Sequence, residues 1–145
     1  MADLFPAIGL GECLIEGLTL SFEANASITK GQAVKLVAVS GDLPKVAAAG
    51  AGERAVGVAK RSASQGEQCP VAMSGSVVKV TFGGTVSAGQ RVMSGADGAV
   101  VAAVPDAPAS YSEAGMQTEL DKLDNAFARA LQSAANGDTG LILIL

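Results

Sequence analysis

Residues 29–35, with the sequence TKGQAVK, return at residues 87–93 as SAGQRVM. In each copy a glycine, Gly31 or Gly89, comes just before a short apolar segment. Glycine supplies the positive φ that a tight turn needs, and an apolar segment after such a turn is typical of a β-strand. The repeated stretch therefore predicts a β unit that the chain uses twice, with its glycines serving the fold rather than chemistry.

Two further matches follow the first in the same order. Residues 46–49 return at 100–103, and residues 55–67 return at 126–138. The offset between the copies grows from 54 to 71 residues between these two matches, so the second copy carries 17 additional residues. We place this insert at about residues 104–125.

The segments between the turns have the character of short strands. Leu18, Leu20 and Phe22 alternate with polar residues, and residues 77–81 are strongly β-branched. Strands of about five residues, with turns every ~8–12 residues, are typical of barrels and sandwiches. We therefore predict a mainly all-β fold, a small barrel or sandwich. Residues 18–145 would form one domain with related units at about 28–82 and 86–145.

Residues 1–17 have no counterpart in the repeat. Their apolar residues fit no clean period and lie among Pro6 and three glycines, which argues against a helix. We predict an extended N-terminal arm that must bury its apolar groups against another surface. Its apolar residues are Leu4, Phe5, Ile8, Leu10, Leu14 and Ile15.

The insert contains the one helix that the sequence predicts. Ser110 and Glu113 have the spacing of a capping box, in which each side chain satisfies an exposed backbone N–H group. Met116, Leu120 and Leu123 follow at helical intervals and would form the packing face of the helix. We expect this short helix to run from about residue 111 to about residue 123.

Two patterns disagree just beyond this helix. Helical periodicity could continue through Phe127 and Leu131, whereas the repeat places Phe127 at the strand position of Val56. We follow the repeat, because the glycine turn at Gly137 and a closing strand then fall into register with the first copy.

The composition is that of an ordered protein with an unusual core. The chain has 145 residues, of which 49% are hydrophobic, but it contains 27 alanines and 18 glycines and only 3% aromatic residues. Small side chains bury little apolar area, at about 25 cal/mol per Å². This imbalance suggests that part of the stability comes from oligomerisation or from docking on a larger assembly.

The charge pattern excludes one class of partner. The net charge is −4, and residues 1–29 hold four acidic residues without a lysine or arginine, while the remainder is balanced. No basic stripe is present for a phosphate backbone, so we expect no nucleic-acid partner.

No run reaches the ~18–20 apolar residues of a membrane span, so we expect no membrane partner. The scatter of Cys13 and Cys69 indicates free thiols rather than a disulfide framework.

The sequence offers no set of residues for catalysis. Histidine, the side chain best suited to proton transfer near neutral pH and the commonest metal ligand, is absent. The glycine pattern at residues 50–57 has the wrong spacing for a dinucleotide loop. Asp121 and Asp124 on the predicted helix are better explained as a solvated face than as an acid/base pair. We therefore expect no enzyme, no catalytic or metal site and no cofactor.

The order of these motifs resembles the capsid cement, or head decoration, proteins of tailed bacteriophages. The resemblance rests on TKGQAVK, the Ala-Val-Gly-Val-Ala strand, the Ser-Gln-Gly-Glu-Gln turn and Gly-Ser-Val-Val-Lys-Val-Thr, and on the second copy from Ser-Ala-Gly-Gln-Arg-Val onward. It covers about residues 18–145. Because the motifs consist largely of Gly, Ala and Val, the resemblance rests on their order along the chain.

The resemblance implies a structural virion protein, made in the host cytoplasm and placed on the outer surface of the capsid. Such proteins are usually homotrimers that bridge subunits of the major capsid protein and stabilise its lattice. The family's arm would correspond to residues 1–17, with Leu4, Phe5, Ile8 and Leu10 as contacts to the capsid or to a neighbouring copy. The helical insert departs from the shorter family pattern, and its role stays open.

Two other functions are consistent with a small β protein. A tail or baseplate accessory module could bind host glycans, but sugar contact usually uses aromatic platforms and the chain has one tyrosine, four phenylalanines and no tryptophan. A lipoyl or biotinyl carrier domain would need a lysine on a hairpin tip, where this chain has Met73-Ser74. Both, like an enzyme, fit the sequence less well than a cement protein.

Overall fold

The computed structural model of the protein describes residues 3–4, 6–37, 43–104 and 112–145. Eleven strands and one α-helix lie in these ranges. In chain order they are β1 (Cys13–Ile15), β2 (Thr19–Ala24), β3 (Ala33–Val37), β4 (Lys45–Ala48), β5 (Gly57–Ala59), β6 (Gln68–Ala72), β7 (Val77–Thr81), β8 (Arg91–Ser94), β9 (Val100–Ala102), α1 (Glu113–Asn125), β10 (Ala128–Ala130) and β11 (Thr139–Ile144). The fold is mainly β with one helix, as the sequence predicts.

The strands form a closed barrel and a second sheet. Strands β2 to β6 close the barrel in the order β2-β4-β3-β5-β6, and the six-stranded sheet has the order β1-β7-β11-β10-β8-β9. We call β2–β6 the first unit and β7–β11 the second unit. The parallel pairing of β2 with β4 that closes the barrel is matched in the second unit by a parallel bridge between Phe82 and Val100.

The repeat is visible in individual hydrogen bonds. The Gly31 N–H donates to the Ala59 carbonyl at 2.8 Å, and the Gly89 N–H donates to the Ala130 carbonyl at 2.8 Å. Both glycines have positive φ, +87° and +89°. The prediction that these glycines form turns is therefore confirmed.

Polar side chains repeat along with the backbone. The side-chain oxygen of Gln32 accepts from the Thr29 N–H at 2.9 Å, and that of Gln90 accepts from the Ser87 N–H at the same distance. Each glutamine thus closes its own turn. Such local side-chain bonds hold the turns without long-range packing.

The helix is present, but its bounds and cap differ from the prediction. It begins at Glu113 and ends at Asn125, two residues later at each end than expected. The N-cap is Ser112, whose extended backbone lets its Oγ accept from the Gly115 N–H at 3.0 Å. Ser110, the predicted cap, lies outside the described residues, as does residue 111, where we expected the helix to begin.

The repeat correctly predicts the chain beyond the helix. The Phe127 N–H donates to the Val92 carbonyl at 3.0 Å, as the Val56 N–H donates to the Val34 carbonyl at 2.8 Å. Strand β10 follows directly, and the helix does not reach it. The repeat register therefore predicts this segment better than helical periodicity does.

Two apolar cores fill the molecule. One lies inside the barrel and consists of small and medium side chains, among them Val34, Val46 and Cys69. The other fills the second unit around Phe82 and Ile142 and also includes barrel residues such as Ala33. Because this second core draws side chains from both units, it joins them directly.

Candidate functional site

The described part of the N-terminal arm lies against the chain's own body. The Leu4 N–H donates to the Thr139 carbonyl at 2.9 Å, and Asp3 forms a parallel bridge with Thr139. The Leu4 side chain packs against the core of the second unit. The beginning of the arm thus extends the sheet beside β11.

A buried lysine holds this arm in place. Lys79 is only 2% exposed, although it lies in the apolar strand β7. Its Nζ donates to the Ile8 carbonyl at 2.7 Å and forms an ion pair with the Asp3 carboxylate. Burying an ammonium group is costly unless it is paired and hydrogen-bonded, so the arm supplies the partners that Lys79 requires.

The end of the arm covers the free edge of β7. The Gly11 N–H donates to the Lys79 carbonyl at 3.0 Å, and the Lys79 N–H donates to the Glu12 carbonyl at 3.2 Å. Gly11 has φ of +75°, and a Cβ there would lie 2.6 Å from the Ala59 oxygen. Only glycine fits where the arm passes between the two units.

The predicted arm contacts are found in this packed region. Leu4, Ile8 and Leu10 are each partly buried, and Leu10 lies beside the turn at Gly31. Phe5 lies outside the described residues. The structure therefore places the three described side chains against the chain's own body, and their contact with a capsid stays a prediction.

A different set of apolar side chains is exposed. Leu14, Ile15, Leu18 and Leu20 are each 44–58% exposed, and we call them the aliphatic segment. They lie where the arm joins the body, from β1 into β2. This set is not among the contacts predicted from the sequence, which are Leu4, Phe5, Ile8 and Leu10. Its signal was the close succession of four large aliphatic residues in a chain dominated by alanine and glycine.

The predicted packing face of the helix is partly exposed, and its packing partner stays a prediction. Met116, Leu120 and Leu123 are 40–54% exposed, and no residue of α1 is buried. The helix is tied to the body at its last turn, by an Arg54–Asp124 ion pair and by the Asn125 side-chain amide, which donates to the Gly52 carbonyl at 2.7 Å. The three apolar side chains are thus available to another molecule.

A groove opens beside β2. It has a volume of about 380 Å³, and its apolar lining comes from Leu20, Phe22, Leu43 and Pro44. Glu23 lies at its rim and is paired with Lys45 at 3.0 Å. The groove has the apolar character of a contact surface but contains no cluster of titratable groups.

The described part of the chain contains neither a cluster of metal-ligating side chains nor a helix that could span a membrane. In residues 3–4, 6–37, 43–104 and 112–145, no three His, Cys, Asp or Glu side chains come together as possible metal ligands. Over the same ranges, no helix is both long enough and apolar enough to cross a membrane.

Both cysteines are free thiols, as the sequence predicts. Burial raises the pKa of the Cys69 thiol, and nearby Arg61 offsets part of this effect. Burial also raises the pKa of the Cys13 thiol, with opposing contributions from Lys60, which lowers it, and Glu16, which raises it. A raised pKa leaves less thiolate, which is the nucleophilic form of cysteine.

The three described aromatic side chains offer little to a sugar ligand. Phe82 and Phe127 are buried and Phe22 is partly buried, so the described residues include no exposed aromatic ring. Phe5 and Tyr111 lie outside the described ranges.

Comparison with known proteins points to one family. A family model described as "Phage cement protein" matches residues 15–144. The solved structure of the head fiber gp8.5 N base of bacteriophage phi29 is similar in fold, with a TM-score of 0.60 over 88% of this chain and 93% of that chain. The sequence identity is 17%, so this likeness concerns the fold. No curated protein matches the sequence.

Proposed function

This chain belongs to the phage cement proteins, a family of structural phage proteins and not of enzymes, and we propose that it binds the outer surface of the phage head as a homotrimer. There it would stabilise the lattice of the major capsid protein.

The aliphatic segment is the observation that carries this proposal. Four large side chains, Leu14, Ile15, Leu18 and Leu20, stay exposed within seven consecutive residues. Exposed clusters of this kind mark interaction sites in soluble proteins. On a head, many copies act together, so a modest contact in each copy can give firm attachment.

The helix supplies a second apolar surface, which we assign to contact between copies. Met116, Leu120 and Leu123 lie on an exposed helix that is anchored at its end, so the helix presents them without using them internally. Two separate surfaces would allow one copy to contact both its neighbours and the shell. The core of small side chains supports the idea that stability is shared within an assembly.

A binding assay with heads that lack this protein tests the attachment. Purified protein is mixed with such heads, and bound copies are counted after sedimentation. We expect saturable binding and heads that withstand higher temperature or lower salt before they release DNA. Heads that bind no copies, or that gain no resistance when saturated, would contradict the proposal.

Paired variants locate the attachment surface. Replacing Leu14 and Leu18 by serine should reduce the number of copies bound, because both side chains belong to the aliphatic segment. Leu131→Ser is the matched control, since Leu131 is similarly exposed but lies outside that segment. An equal loss of binding in the control would show that the segment has no special role.

The oligomer is tested separately. Light scattering on the wild-type protein should give the mass of three chains. Leu120→Asp places a charge on the exposed helix face and should yield monomers that remain folded by circular dichroism. A wild-type protein that stays monomeric at high concentration would contradict the homotrimer.

A further inference from the structure

The free edge of β2 is a strand-addition site, and we propose that it receives an extended, uncharged segment of the shell protein. This inference rests on the proposed function and names the contact that β2 makes within it.

The hydrogen bonds of β2 alternate between its two edges. The N–H groups of Leu18 and Ala24 donate to carbonyls at the β6 side, and the carbonyls of both residues accept from that side. In an antiparallel pair the residues between such positions direct their backbone groups to the opposite edge. The backbone N–H and C=O groups of Thr19 and Ser21 therefore point away from β6. Ser21 lies opposite Pro70, which has no backbone N–H group.

Within the described ranges, that opposite edge has no partner strand along much of its length. β4 pairs with β2 only at Glu23 and Ala24. No other strand in the described ranges pairs with this edge between Thr19 and Phe22. The Thr19 Oγ1 is also buried without a hydrogen-bond partner in those ranges. An unpaired strand edge is a template for another strand.

The second unit shows the same edge occupied. Lys79 holds the position in β7 that Ser21 holds in β2, 58 residues earlier in the chain. The Lys79 backbone exchanges hydrogen bonds with Gly11 and Glu12, and β1 pairs antiparallel with β7. The second unit thus carries an added strand at this edge, and the first unit carries none among the described residues.

The chemistry of the open edge selects an uncharged occupant. Residues 18–22 carry no formal charge, and the one acidic group beside them, Glu23, is paired with Lys45. The adjoining groove is lined by Leu20, Phe22 and Leu43, so a strand laid on the edge can insert an apolar side chain there. Backbone hydrogen bonds provide the affinity of such an addition, and the pocket provides its specificity.

A second copy of the chain is a poorer source of this strand. Its own arm already pairs with its own β7. If the arm moved to the β2 edge of a neighbouring copy, the β7 edge of its own chain would lose its partner strand. A shell segment carries no such loss, so we assign the occupant to the shell protein.

Hydrogen exchange on heads tests the inference. The full-length protein is bound to heads that lack it, and exchange in peptides that cover residues 18–22 is compared with that of the free protein at low concentration. We expect up to two additional protected amides, those of Thr19 and Ser21, on binding.

Two variants accompany this measurement. Ser21→Pro removes an N–H that the fold itself does not use, and an edge strand tolerates such a proline. Leu20→Ser keeps the strand intact and makes the groove polar, should the proline variant fail to fold. The loss of one backbone hydrogen bond, or of the apolar insertion, should weaken binding to heads by up to about tenfold. Leu36→Ser is the matched control, because Leu36 is similarly exposed on a strand that β4 pairs fully.

Each outcome is distinct. Tight binding with unchanged exchange at residues 18–22, or with wild-type affinity in both variants, overturns the strand addition and leaves the proposed function standing. Protection that appears without heads and increases with protein concentration assigns the edge to a second copy and overturns the shell segment. Failure of the wild-type protein to bind heads contradicts the proposed function itself.

Discussion

The two units of this protein share a hydrogen-bond network but differ at one edge. Both close their turns with a glycine and a glutamine, and both carry the same five-strand order. In the second unit the arm covers β7, whereas no strand among the described residues covers the equivalent stretch of β2. Since the internal pairing is the same, the difference shows where the molecule has surface available for partners.

The units also differ in how their cores are filled. Phe82 is fully buried at the end of β7, and the equivalent residue at the end of β2 is Ala24. The core of the second unit therefore contains several large side chains, Phe82 and Ile142 among them, whereas the core of the first consists mainly of small and medium ones. Each prediction below changes one member of such a pair.

Phe82→Ala should have the largest effect. Truncation of a fully buried phenylalanine removes its transfer energy and leaves a cavity, at a cost of about 3–5 kcal/mol. Denaturant unfolding followed by circular dichroism measures the loss. Ala24→Gly, the change at the equivalent position, should cost about 1 kcal/mol. Equal losses at the two positions would show that the cores are filled alike.

Lys79→Met should release the arm. The substitution keeps the apolar stem and removes the ammonium group that bonds the Ile8 carbonyl and pairs with Asp3. Asp3 is half exposed and regains water, so the loss in free energy of unfolding should be on the order of 1–2 kcal/mol. Limited proteolysis should cut the chain before residue 11 much faster than in wild type. Lys45→Met, which breaks the partly buried pair with Glu23, should leave that cleavage rate unchanged.

Gly31→Ala should cost more than Gly89→Ala. Both residues have φ near +88°, where an L side chain costs roughly 1–2 kcal/mol. A Cβ at Gly31 would also lie 3.1 Å from the Leu10 Cβ, whereas nothing lies within 4 Å of one at Gly89. Thermal unfolding of the two variants measures the difference, which reports the contact between arm and first unit. Identical melting temperatures would show that the arm does not contact the turn at Gly31.

Acid should weaken the turn at Glu67 by a small amount. The Ser64 N–H donates to the Glu67 carboxylate at 2.6 Å and holds the pKa of that carboxyl below its usual 4.5. Because the folded pKa is lower than the unfolded one, the contribution to stability is present above about pH 4.5 and is lost as the pH falls through the folded value. Glu67→Gln should therefore lose less melting temperature than wild type between pH 5 and pH 3. A variant as acid-sensitive as wild type would contradict this role for Glu67.

The repeat made much of this fold predictable, and long-range contacts account for what was missed. Local patterns are sufficient for the turns at Gly31 and Gly89, for the insert and for the strand after Phe127. The burial of Lys79 depends on residues about 70 positions earlier in the chain, so no local sequence pattern predicts it. The helix cap was misplaced because Ser110 and Ser112 offer the same side-chain oxygen two residues apart. The open edge of β2 emerges only when both units are compared in three dimensions.

The difference in backbone hydrogen bonding between the edges of β2 and β7 can be measured directly on the free protein. Amide hydrogen exchange, read residue by residue by NMR at low concentration, compares Ser21 with Lys79 at equivalent positions in β2 and β7. We predict that the Lys79 amide, bonded to Glu12, exchanges roughly a hundredfold or more slowly than the Ser21 amide. Similar exchange rates for the two amides would contradict the account, because the two edges would then be equally covered or equally open.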